Sequence, residues 1–196
     1  MEYNPIIKEE VNRMSVMPNL LNYEKLREDF RWEDISKELD EFDDGGLNIA
    51  YEVLDRHAKT SLKDKVALYW EGKDGEGEEF SFFDLHRLTN RFANVLKSLG
   101  VKKGDRVFTY GDRIPEIYIS LLSALKTGGV IGPLFSAFGP DAVKDRLGDC
   151  EARVLITTPK LAGVVQEIVQ DLPALETVII INRKNAAYEL KEKEVS

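Results

Sequence analysis

Apolar positions fall into two regimes along the chain, with the change near residue 46. Over residues 1–46 charged side chains dominate, as in Glu24-Lys-Leu-Arg-Glu-Asp29, and Tyr23, Phe30, Trp32 and Phe42 are scattered among them. That pattern predicts a small helical extension of short helices, tethered to a larger body by the rings. The acidic run 38–44 reads as a solvated face, because it lacks the Asp/Asn ladder, mid-loop Gly and closing Glu of a calcium loop. Gly45-Gly46 then breaks the chain. Residues 47–58 suit a helix, with Ile49, Val53 and Leu54 at i, i+4 and i+5 and with Ala50 and His57 widening the stripe. Residues 66–71 (VALYWE) read as a strand. The Asp-Gly pair within 73–77 marks a hairpin turn, and Glu79-Phe80 returns as a second strand.

From residue 81 the pattern alternates strand with helix. Ser81 is a good N-cap, with Asp84 in the capping-box position. The helix it opens carries Leu85, Leu88, Phe92, Val95, Leu96 and Leu99, and Gly100 stops it. Strands are predicted at 105–110, 130–134, 153–157 and 177–182. Pro115, Pro140 and Pro159 open the helices between them, as proline does at a first turn. The helix after Pro115 is apolar nearly all round and should be buried on most sides. Val107, Leu121, Leu122, Leu125, Leu155, Ile179 and Ile181 are the expected core. Short connections between alternating elements imply an α/β fold, a mainly parallel sheet flanked by helices. Residues 47–182 form this α/β subdomain, and 183–196 is a charged tail with no core of its own.

Composition narrows the functional classes. The 196 residues are 43% hydrophobic and 32% charged, an ordinary globular mix. The net charge of −8 argues against a nucleic-acid partner, whose phosphates require a basic face, and against an anionic membrane surface. One Cys and two His give no internal disulfide and a poor supply of metal ligands. No run approaches the ~18 apolar residues of a membrane span, and the N-terminus lacks a signal-peptide core. The expected address is the reducing cytoplasm.

Motifs for independent chemistry are missing. Gly72, Gly75 and Gly77 are spaced GxxGxG within the hairpin turn, not GxGxxG between a strand and a helix. GxxxxGK[ST] and GxSxG do not occur. Cys150, between a helix and a buried strand, reads as a small core residue. His57 lies near a helix end, where a cation or a carbonyl cap complements the dipole. His86 reads as a packed or exposed helical residue.

Several blocks together resemble one family. Leu47-Asn-Ile-Ala-Tyr51 with Leu54-Asp-Arg-His57 is similar to the helix opening the main domain of AMP-forming acetyl-CoA synthetases. Gly104-Asp-Arg-Val107, Pro115-Glu116 and Lys126-Thr-Gly-Gly129 resemble the next block. Pro133-Leu-Phe-Ser-Ala-Phe138, then Asp141–Leu147 and the strand 154–157, complete the series. The resemblance covers about residues 19–182. It implies the first subdomain of an adenylate-forming N-terminal domain, in a parent that joins acetate or another short-chain carboxylate to CoA. That parent uses ATP, Mg2+ and CoA and passes through an acyl-adenylate.

The family's Pro-Lys-Gly phosphate loop, ribose-binding Asp and lid Lys have no counterpart here. The chain is therefore expected to be an N-terminal part without activity of its own. The alternative is a stand-alone, non-catalytic α/β interaction module derived from a synthetase. No catalytic or metal-binding residue is assigned. The resemblance places Phe135, Ser136 and Ala137 near the CoA nucleotide, with the ring on adenine. Phe135 is read either so or as a loop residue packed on the sheet. Ser136-Ala137 stands where the family form has Gly-Gly. In the stretch 158–165 after strand 154–157, where some members carry Arg residues for the CoA phosphate, Lys160 is the only cation.

Overall fold

The structure, a computed structural model, describes residues 20–42, 45–183 and 187–196. The chain separates into two compact units, Met1–Gly45 and Gly46–Ser196. In the first, α1 spans Tyr23–Asp29 and α2 spans Trp32–Ser36. Asn22 caps α1 by accepting from the Lys25 N–H, and the Phe30 and Trp32 rings meet edge to face at 5.0 Å. Residues 38–42 are mostly exposed, as a solvated run should be. Residues 43 and 44 of that run lie outside the described residues, as do 1–19 of the extension and 184–186 of the tail.

The second unit opens on a π-helical stretch, Tyr51–Asp55, which runs into α3 (Arg56–Ala58). Its buried face is Ala50, Leu54 and Ala58; Ile49 and Val53, expected inside, are 60% and 50% exposed. The Asn48 side chain sets this phase. It accepts from the Ala50 and Tyr51 N–H groups and donates to the Leu125 carbonyl at 2.8 Å. β1 (Val66–Glu71) and β2 (Gly77–Ser81) form the expected antiparallel hairpin. Gly75 supplies the positive φ of its turn.

α4 (Phe82–Ser98) begins on a complete Ser81–Asp84 capping box. Its inner stripe is Leu85, Thr89, Ala93 and Leu96, whereas Val95 is exposed. Small residues on this face let α5 (Pro115–Lys126) come close, and Ser123 Oγ donates to the Thr89 carbonyl at 3.0 Å. That contact also explains a second departure. α5 buries Pro115, Ser120, Ser123 and Ala124, while Leu121, Leu122 and Leu125 are only half-buried.

β3 (Arg106–Tyr110), β4 (Val130–Leu134), β5 (Val154–Thr157), β6 (Thr177–Ile180) and β7 (Glu194–Val195) form a parallel sheet in the order β4-β3-β5-β6-β7. The fold class expected from the alternation is the one observed. β6 is shorter than expected: Ile181 lies past its last pair and is half-buried at the sheet's end. The tail contributes more than expected, since Glu194-Val195 is the fifth strand. The Glu194 carboxylate accepts from Tyr188 Oη and the Lys191 N–H, which offsets its burial. Burial, with the Glu194 contact second, pushes the Tyr188 hydroxyl up to about 12.

Alternation along the strands divides the core between two faces. Leu155, Val178 and Ile180 pack with Val143 and Leu147 of α6 (Pro140–Asp149) and with Ala162 and Val165 of α7 (Pro159–Ile168). Val107, Val154, Ile156 and Ile179 pack with Leu96 of α4 and Ala124 of α5. Gly132 is needed on β4, because a Cβ there would lie 2.3 Å from the Phe108 ring. Pro133 is tolerated because β4 is an edge strand. Cys150 is half-buried against the first cluster. Its thiol donates to the Arg146 carbonyl and is pushed up by burial.

Candidate functional site

The sheet has a topological switch point. From β3 the chain passes through α5 on one face to reach β4. From β4 it passes through α6 on the other face to reach β5, on the far side of β3. The loops leaving β3 and β4 therefore diverge at the carboxyl edge, and a crevice opens between them. Ligands of open α/β sheets bind at such crevices.

A cleft of about 350 Å³ lies there, lined by Gly111, Asp112 and Arg113 after β3, by Ile117 and Tyr118 of α5, and by Pro133, Phe135 and Ser136 at the end of β4. Phe135 is 62% exposed, so it is not a core residue. Its ring meets Phe138 edge to face at 5.8 Å, which leaves a face of the ring free for a planar ligand. The loop is held from below. Phe138 N–H donates to the Phe135 carbonyl at 2.9 Å, and the buried Tyr110 hydroxyl donates to the Phe138 carbonyl at 2.6 Å. The Arg146 guanidinium covers the Phe138 ring at 4.3 Å. Burial, with Asp112 nearby, pushes the Tyr110 hydroxyl up, which keeps it a donor. Of the three residues singled out in the sequence, Phe135 and Ser136 line the cleft. Ala137 is exposed beyond it.

A second cleft of about 450 Å³ lies alongside, lined by Asp112, Ile114, Thr158, Pro159, Lys160, Ile181, Asn182 and Arg183. Lys160 Nζ, the cation noted in the sequence, donates to Asp112 at 2.8 Å. Arg183 is committed to Glu116 at 2.7 Å and to Glu78, and it stacks on Trp70. The loop after β3 was missed in the sequence. Its signal was present: Gly111-Asp112-Arg113 directly follows a predicted strand, at the edge where ligands gather.

Neither histidine reaches this edge cleft. The His57 ring packs against Phe82 at 5.1 Å, near the end of α3. His86 joins a half-buried network between helices. Lys126 Nζ donates to Asp55 at 2.6 Å and to Asn90 Oδ1 at 2.7 Å. His86 Nδ1 meets Asp55 Oδ1 at 2.7 Å, and Asn90 Nδ2 meets His86 Nε2 at 3.1 Å. The network is self-consistent for an imidazole protonated on Nδ1, which donates to Asp55 and accepts from Asn90. It ties the π-helical stretch to α4 and α5 and serves structure. Among the described residues no three His, Cys, Asp or Glu side chains converge as metal ligands, and no helix is long and apolar enough to cross a membrane.

A sheet wound on both faces, with a crevice at its switch point, is the architecture of an open α/β domain that takes ligands at the carboxyl edge. Residues 54–196 match the AMP-binding enzyme family, and the chain belongs to it. It is 44% identical over 165 residues to an acetyl-coenzyme A synthetase of Bacillus subtilis (strain 168), an alignment covering 83% of this chain and 28% of that protein. It is 37% identical over 158 residues to one of Methanothrix thermoacetophila, covering 76% of this chain and 24% of the relative. Among solved structures, an acyl-CoA synthetase of Brucella canis matches with a TM-score of 0.75 and 28% identity, over 88% of this chain and 30% of that one. The chain thus spans about a quarter of the length of the curated relatives it matches.

Proposed function

We propose that this chain is the N-terminal part of an AMP-forming acetate–CoA ligase, and that its sheet-edge cleft takes the nucleotide end of CoA. The observation that carries the reading is the 44% identity to an acetyl-coenzyme A synthetase over most of the chain. A carboxylate, ATP and CoA are then the substrates of the whole protein, whose reaction yields an acyl-adenylate and pyrophosphate and then the thioester. The partners are small molecules and the compartment is the cytoplasm.

The residues present fit CoA better than they fit ATP or Mg2+. The exposed Phe135 ring suits adenine, and Ser136 gives the backbone room beside it. For ATP there is no glycine-rich phosphate loop, and no acidic cluster for Mg2+ is found among the described residues. Within this reading the chain's own residues bind and orient. Tyr110 holds the Phe135–Phe138 turn in place, and Phe135 offers the stacking face.

Two measurements test the reading. The complete protein given acetate, ATP, Mg2+ and CoA should form acetyl-CoA, AMP and pyrophosphate, whereas residues 1–196 alone should show no acetate-dependent ATP–pyrophosphate exchange, lacking the groups that would surround the phosphates. Exchange by the pure 196-residue chain would refute the assignment of catalysis to the rest of the protein. In the complete protein Phe135→Ala should raise the KM for CoA about tenfold, since base–aromatic stacking is worth about 1–3 kcal/mol. Adenylation and thermal stability should stay nearly unchanged. Loss of adenylation together with a lowered Tm would make Phe135 a packing residue and end the CoA placement.

A further inference from the structure

We infer that Arg113 is the phosphate-binding residue of the cleft, holding the terminal phosphomonoester of an adenine nucleotide whose base lies on Phe135. The inference rests on the CoA reading above, which makes that group the 3′-phosphate on the adenosine of CoA. A phosphomonoester carries close to two negative charges at neutral pH and needs a cation within reach.

Charge pairing among the three cations that line the two clefts singles out one residue. Lys160 is spent on Asp112 at 2.8 Å, and that pair cancels where the two clefts meet. Arg183 is spent on Glu116 and Glu78. Arg113 is exposed, lines the cleft with Phe135 and Ser136, and forms no ion pair among the described residues. Its guanidinium therefore leaves the cleft with one net positive charge in a protein whose overall charge is −8. Its backbone, by contrast, is fixed. Trp70 Nε1 donates to the Arg113 carbonyl at 2.7 Å, and Trp70 is itself stacked under Arg183 at 4.4 Å. The hairpin β1–β2 thus braces the loop after β3 and leaves the planar fork of Arg113 free, the geometry suited to a phosphate. It also supplies a cation where the segment after β5 offers only the committed Lys160.

The test uses the complete protein with Arg113→Gln, Arg113→Lys and Phe135→Ala. Binding of CoA, 3′-dephospho-CoA and ATP is titrated calorimetrically, and the KM values are measured alongside. Arg113→Gln should weaken CoA about tenfold, which is about 1.4 kcal/mol. It should leave 3′-dephospho-CoA and ATP binding unchanged and keep the Tm, because the side chain is exposed. Arg113→Lys should recover part of the loss. Equal weakening of CoA and 3′-dephospho-CoA, or weakening of ATP instead, would overturn the assignment. If Phe135→Ala weakens CoA and Arg113→Gln does not, the phosphate contact falls while the CoA placement stands. If neither variant weakens CoA, both fall.

Discussion

Replacing Asp55 by Ala should be among the most damaging single changes in the α/β unit. The Asp55 and Lys126 side chains are 14% and 9% exposed, and one carboxylate oxygen receives both Lys126 Nζ and His86 Nδ1. Removing it leaves an ammonium out of bulk water with Asn90 Oδ1 as its remaining acceptor, and leaves an imidazole N–H with none. Breaking a buried ion pair from one side costs about 3–5 kcal/mol; because both side chains retain some exposure, about 3 kcal/mol is expected here. For a unit of this size that is a fall in Tm of roughly 6–12 °C. Asp55→Leu with Lys126→Met removes both charges but still strips His86 Nδ1 and Asn90 Oδ1 of their partners. It should therefore cost about 1–3 kcal/mol, less than the Asp55→Leu and Lys126→Met singles summed. The difference between the double variant and the sum of the single ones is the coupling.

The pH dependence has a defined sign. Burial holds the Lys126 ammonium below its usual range, and Asp55 pulls the other way. Without Asp55 the native value falls further, so the folded state sheds its proton before the unfolded chain does. Between those two values the folded state binds fewer protons, and stability rises with pH. The Asp55→Ala deficit should therefore be largest at neutral pH and shrink in alkali. Urea unfolding of the 196-residue chain at several pH values measures this. A deficit under about 1 kcal/mol, or a double variant as unstable as the summed singles, would refute the reasoning.

Two further changes probe other parts of the fold. Asp105 accepts from the Lys102 N–H at 2.7 Å and from Arg153 at 2.6 Å, contacts that hold its carboxyl below the usual range. Its contribution is complete above the ordinary carboxylate value and is lost as pH falls through the lowered native one. Asp105→Asn should thus cost about 1–2 kcal/mol at pH 7, a gap that closes in acid; a gap unchanged at pH 3 by urea midpoint would contradict the account. Gly132→Ala should cost about 1–3 kcal/mol by overpacking against Phe108, and an unchanged Tm would show that the ring moves aside freely.

The sheet was legible because its strands are short β-branched runs bounded by Pro and Gly, and hydrophobic periodicity reports such elements well. Which residues face inward was less legible. In α4, Thr89 and Ala93 took places offered to Leu88 and Val95, and in α5 serines took the inner face. Helix–helix approach there is decided by side-chain size, not hydrophobicity. β7 was illegible: its two residues owe their strand to β6 and to the Glu194–Tyr188 contact, neither visible in a polar tail. At the site, the loop after β4 was readable from the resemblance and the strand before it. The loop carrying Arg113 follows a predicted strand at the same edge, but the part Arg113 plays was not readable, because it comes from Lys160 and Arg183 being paired elsewhere and from Trp70 reaching it across 43 residues.

The central claim, that the crevice between β3 and β4 receives CoA, is tested most directly by hydrogen–deuterium exchange of the complete protein with and without CoA. Backbone amides of residues 110–113 and 134–138 should gain protection on adding CoA, and the same segments should lose that gain in Phe135→Ala. Protection confined to other parts of the protein, with these two loops unchanged, would contradict it.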